Sequence, residues 1–153
     1  MFSINGVFSQ IDSTKTVKYS LKNDVYNDVS KGYSIEKPSW LKLMNTNNPD
    51  LWGGIFPTLH GIENAVLITG FDKSKFKSFQ EFEYTYITGN VFGKTTLYSD
   101  NHVWYGRNDR DFQKIKNGVS SRVFTFFKNK IYHHQFVLIE TKKAYLFINF
   151  TST

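Results

Sequence analysis

Apolar and polar positions alternate most regularly between Arg122 and Phe150, where the chain reads RVFTFF, KNK, IYHHQFVLIE, TKK, AYLFINF. Val, Ile, Phe and Tyr dominate the three longer runs, and branched or aromatic side chains fit a pleated surface better than a helical one. We therefore expect three strands. In Ile131 to Glu140, one face carries Ile131, His133, Gln135, Val137 and Ile139, and the other Tyr132, His134, Phe136, Leu138 and Glu140. The second half of that run is apolar on both faces, as in a strand covered on two sides. Ala144 to Phe150 repeats the pattern. Loops of about three residues permit only hairpins, because a parallel crossover needs a dozen or more. Neither loop holds Gly, but Asn129 tolerates a positive φ.

The same reading places weaker elements upstream. Met1 to Ser9, with Asn5-Gly6 as a turn, and Thr14 to Leu21 read as strands, and Asn23 to Lys37 as loop or a short edge strand. Pro38 followed by SWLKLM reads as a helix start with Trp40, Leu41, Leu43 and Met44 inward. Leu51 to His60, with its Gly pair and Pro, reads as an irregular packed loop plugged by Trp52, Ile55 and Phe56. Asn64 to Phe71 is a buried strand, and Phe82 to Ile87, Val91 to Tyr98 and His102 to Tyr105 form a second meander. Asp111 to Asn117, closed by Gly118, reads as a short amphipathic helix. The fold expected is one domain over residues 1–153, mainly β, an antiparallel sandwich or barrel of about seven or eight strands with one or two short helices. An α+β sheet with a covering helix is the alternative. No internal repeat is present.

Composition narrows this picture. With 15 Phe and 9 Tyr, the chain is too aromatic for disorder, and a length of 153 residues suffices for one real core. The absence of Cys excludes disulfides and thiolate zinc sites, and leads us to expect the cytoplasm. The N-terminus lacks the pattern of a signal peptide, and no stretch approaches the roughly 18 apolar residues of a spanning helix, so no membrane association is expected. Asn149-Phe150-Thr151 matches a glycosylation acceptor, which in a predicted strand end is a chance match.

The net charge of +6 is carried by the C-terminal third, since residues 105–153 hold 9 Lys or Arg against 3 Asp or Glu while residues 1–104 hold 10 of each. Lys128, Lys130, Lys142 and Lys143 fall in hairpin loops, with Arg107, Arg110, Lys114 and Lys116 upstream. Such a rim attracts phosphates or an acidic protein. Turn lysines also keep strand edges soluble.

Recognisable reaction motifs are few. In Thr88 to Thr96, TGNVFGKTT, Gly89 leaves three residues before Gly93-Lys94-Thr95, where a phosphate-binding loop needs four, so a glycine-rich hairpin is the better reading. His60, His102, His133 and His134 are the catalytic material available to a metal-independent ribonuclease, which needs one imidazole as base, another as acid and a nearby cation such as Lys130 or Arg122. His133 and His134 are adjacent on a strand and face opposite ways, so at most one joins a given site. The other reading makes one of them a buried, hydrogen-bonded core residue and leaves the other exposed. No metal-binding helix, oxygen cage or nucleophile elbow occurs, and no metal or cofactor is expected. Tyr84, Tyr86, Tyr98, Trp104 and Tyr105 crowd the second meander, either as stacking residues or as core.

The leading expectation is a non-enzymatic binding domain whose basic surface meets a polyanion, either nucleic acid or an acidic protein. Arg107, Arg110, Lys114, Lys128 and Lys130 would supply charge, and Trp104 and Tyr105 stacking. A small histidine-dependent ribonuclease and an inhibitor or immunity-type protein are the alternatives.

Overall fold

The strands run in chain order as β1 (Val25–Asp28), β2 (Tyr33–Glu36), β3 (Lys42–Leu43), β4 (Leu51–Ile55), β5 (Asn64–Asp72), β6 (Thr95–Thr96), β7 (Ser99–Arg107), β8 (Gln113–Ile115), β9 (Gly118–Phe127), β10 (Lys130–Glu140) and β11 (Ala144–Ser152). A short helix, α1 (Phe79–Glu83), continues into a π-helical turn, Tyr84–Thr88. These come from a computed structural model that describes residues 25–38, 40–58, 60–96, 99–107 and 112–153. The strands expected in Met1 to Ser9 and Thr14 to Leu21 lie outside the described residues, as do Tyr98, Arg110 and Asp111.

The protein is mainly β and antiparallel, as the alternation predicts. Among the described residues, nine strands form one open sheet in the order β3-β4-β5-β11-β10-β9-β7-β6, with β8 beside β9, and β1 and β2 pair separately. The three C-terminal strands fall where the alternation places them, joined by hairpins, with Leu138 opposite both Val119 and Phe147. Between β9 and β10 the turn has two residues, Lys128 (φ 46°) and Asn129 (φ 60°), both in the left-handed region that matches the twist of a tight hairpin.

Each face of the sheet carries its own core. On one, Val119, Val123, Phe136, Leu138, Tyr145 and Phe147 pack under the helical segment through Phe82 and Ile87. Phe82 stacks on Tyr145 at 5.2 Å and Tyr86 on Phe147 at 4.9 Å, offset ring contacts that add to simple burial. On the other face, Trp52, Val66, Ile68 and Leu41 are covered by Tyr26, Tyr33 and Ile35 of the β1–β2 hairpin. That hairpin is held at its turn by the β10–β11 loop. The Thr141 hydroxyl donates to the Lys31 carbonyl at 2.7 Å, Lys143 Nζ donates to the Val29 carbonyl at 2.8 Å, and Lys31 pairs with Asp50 at 2.9 Å.

Several segments differ from the expectation, each for a local reason. Pro38 opens only a single turn, closed by Leu41 N–H on the Pro38 carbonyl, before the chain extends into β3; Trp40 is exposed and leans on Phe56. Leu51–Ile55 is a strand, with Trp52 buried and Ile55 exposed. Its glycines admit neighbours, because a Cβ on Gly54 would lie 2.7 Å from Leu41 Cδ2. Phe79–Glu83 is helical because the Ser78 side chain caps the Glu81 N–H and Glu81 reaches back to the Lys77 N–H. The segment expected as a helix before Gly118 is instead the β8–β9 hairpin, with Ile115 opposite Gly118 and Asn117 taking a φ of 58°.

Candidate functional site

The β1–β2 hairpin covers only the β4–β5–β11 half of its face, and the β9–β10 half carries an aromatic strip. Alternation turns Arg122, Phe124 and Phe126 of β9 to that side. Phe126 stands opposite Ile131, Phe124 opposite His133, and Arg122 opposite Gln135. Across β10 from Gln135 lies Phe150 of β11. Phe126 is 38%, Ile131 45% and Phe150 40% exposed, high values for large apolar side chains inside a sheet. The His133 ring stands edge-on to Phe124 at 5.3 Å. No side chain of β9, β10 or β11 that points to this face is a carboxylate, while Arg122 and His133 lie on it; Lys130, opposite Phe127, turns to the other face, where Lys128 Nζ lies over the Phe127 ring at 5.1 Å.

The opposite face treats its histidines differently. His134 is buried below the β9–β10–β11 ladder, with Nε2 2.7 Å from Thr125 Oγ1 and Nδ1 3.0 Å from both Asn149 Oδ1 and Thr151 Oγ1. An amide oxygen can only accept, so Nδ1 carries the proton and Nε2 accepts from the Thr125 hydroxyl. Burial pushes the His134 pKa down to about 4, opposed by the Asn149 bond and aided by the two neighbouring imidazoles, so the ring is neutral at pH 7. His102 shares this face, half-buried, stacked on Phe127 at 4.4 Å and edge-on to Tyr132 at 5.6 Å, and its own burial lowers its pKa. His60 lies apart, exposed in the turn between β4 and β5 at a φ of 51°. His133 and His134 thus face opposite ways, one exposed and one in the core.

The remaining candidates do not converge. Lys114 sits opposite Val119 and Lys130 opposite Phe127, so their backbones are about 27 Å apart along β9. Trp104 is 4% exposed and belongs to the core under the helical segment, while Tyr105 is exposed against Phe92 at 5.4 Å. Arg107 closes β7, its backbone opposite Val123, and Arg110 is outside the described residues. Lys143 is engaged by the Val29 carbonyl. Phe124, Phe126, Ile131 and Phe150 escaped sequence reasoning, because RVFTFF is apolar on both faces and nothing in it says which face the hairpin leaves open.

Among the described residues no group of three or more His, Asp or Glu side chains is placed to hold a metal ion, and no helix is long and apolar enough to cross a membrane. The chain matches no protein-family model and no curated protein.

Proposed function

We propose that this chain is a non-enzymatic binding domain, working in the cytoplasm, whose open β9–β10 face receives a polyanion. The observation that carries the reading is the composition of that face: exposed aromatic and aliphatic side chains with Arg122 and His133 among them, and no carboxylate from β9, β10 or β11. An exposed apolar patch on a sheet marks an interaction surface, and a single sign of charge around it selects the partner. The protein's +6 charge adds a long-range attraction that falls with salt.

The test is binding of heparin and of labelled nucleic acid over a salt series, with mobility and product length read on one gel. Binding is expected to weaken steeply with salt. Arg122→Glu should reduce affinity at least about fivefold and flatten the salt slope by roughly one unit for the phosphate no longer neutralised. Unchanged affinity and slope in that variant would overturn the reading. Shortened product would do so too, by making the protein a nuclease.

A further inference from the structure

Resting on that reading, we infer that the polyanion is a single-stranded nucleic acid whose bases stack on Phe124 and Phe126. Both side chains leave the same face of β9 two residues apart, so their ring positions are about 7 Å apart along the strand. That is twice the ~3.4 Å step between neighbouring bases in a duplex strand. Bases lying on the two rings must therefore be separated from each other, which an unpaired, flexible strand permits and a stacked duplex forbids.

The remaining geometry points the same way. A two-stranded ribbon can enter the major groove of duplex DNA, but the β9–β10 pair is flanked by β7 on one side and β11 on the other and is not a free ribbon. The strip is instead one broad surface, on which Phe150 extends the aromatic area across β10. Arg122 precedes Phe124 on this face at the same two-residue spacing, so a cation stands at one end of the two rings along β9. Stacking with a cation beside it is sequence-tolerant, since every base has a π-face. His133, edge-on to Phe124, adds a ring N–H or nitrogen able to meet a phosphate or base edge. An acidic protein would satisfy the cation but would gain from Phe124 and Phe126 only as apolar area.

Fluorescence anisotropy with labelled oligothymidine and oligouridine of about ten nucleotides, a duplex of equal length and heparin as competitor tests this with the full chain. The single strands should bind at least about tenfold more tightly than the duplex, and the two sugars report whether RNA or DNA is preferred. Phe124→Ala and Phe126→Ala should each weaken single-strand binding about fivefold or more and leave heparin binding unchanged. Phe126→Tyr should restore it, which separates stacking from loss of fold, and unfolding midpoints of the variants control for stability. If duplex, heparin and single strand bind alike and both alanine variants are silent, the stacking inference falls while the polyanion reading stands. If none of the polyanions binds at roughly 50 mM salt, both fall.

Discussion

Thr125 Oγ1 and His134 Nε2 lie 2.7 Å apart beneath the β9–β10 ladder, and the hydroxyl donates to the ring. Thr125 is fully buried, and removing its hydroxyl would leave a buried imidazole nitrogen without this donor. Thr125→Val keeps the shape and should cost about 1–3 kcal/mol in urea unfolding. An NMR spectrum of the native protein should show His134 protonated at Nδ1 alone.

The same imidazole makes stability depend on pH. Its native pKa is pushed down to about 4, whereas an unfolded histidine titrates near 6.5. Between those values the unfolded chain binds the proton that the native chain refuses, so stability rises with pH across the window. The contribution is complete above about pH 6.5 and lost progressively toward pH 4, and a shift of that size corresponds to roughly 3 kcal/mol. Urea midpoints at closely spaced pH values check it. A flat profile through that window would show that His134 charges as freely in the native state as in the unfolded one.

Gly118 begins β9 against the backbone of β10, and a Cβ there would lie 2.0 Å from the Leu138 carbonyl oxygen. Main chain cannot yield as a side chain can. Gly118→Ala should destabilise the protein by about 1–3 kcal/mol or more, through displacement of the β8–β9 hairpin. Slowed hydrogen exchange at Ser120 and Leu138 in the native protein should be lost in the variant.

Lys128 adopts a φ of 46° in the two-residue turn, a conformation that costs a residue with a Cβ about 1–2 kcal/mol. Lys128→Gly should raise stability by a few tenths to about 1 kcal/mol, because the cost of a more flexible unfolded chain offsets part of the relief. The same variant removes the Lys128 Nζ contact over the Phe127 ring, on the face opposite the aromatic strip, so polyanion affinity should hold while the melting temperature rises. A matching fall in affinity would place the binding surface on the other face.

Strand alternation makes the C-terminal half legible, down to the opposite placement of His133 and His134. The helical segment misleads for an identifiable reason: Phe82, Tyr84 and Tyr86 alternate as a strand would, yet Tyr84 is exposed and Phe79, Phe82 and Tyr86 share one helical face. Ser78-Phe79-Gln80-Glu81 is the signal that identifies the helix, a serine cap with a glutamate three residues on. The β8–β9 turn at Lys116-Asn117, whose Asn117 takes the positive φ that Asn tolerates, is hidden by the apparent amphipathicity before it. Gly53 and Gly54 point to a loop in isolation, because the Leu41 and Met44 side chains that occupy their missing Cβ space belong to another part of the chain. The candidate site is harder for the same reason. Charge placement along the sequence suggests one basic rim, but antiparallel pairing sends Lys114 and Lys130 to opposite ends of β9.

The central position of β11 has a consequence for the order of assembly during synthesis. β11 stands between β5 and β10 and is their common neighbour, yet both emerge from the ribosome before it. Until Ala144–Ser152 is available, the β3–β5 and β6–β10 groups share no strand, and the inner edges of β5 and β10 await the same partner. Pairing between Asn64–Asp72 and a segment more than seventy residues away is a contact of high sequence separation, which slows folding. A nascent chain stalled before β11 would expose two apolar strand edges at once, so this domain's demand for chaperone protection should peak at that length.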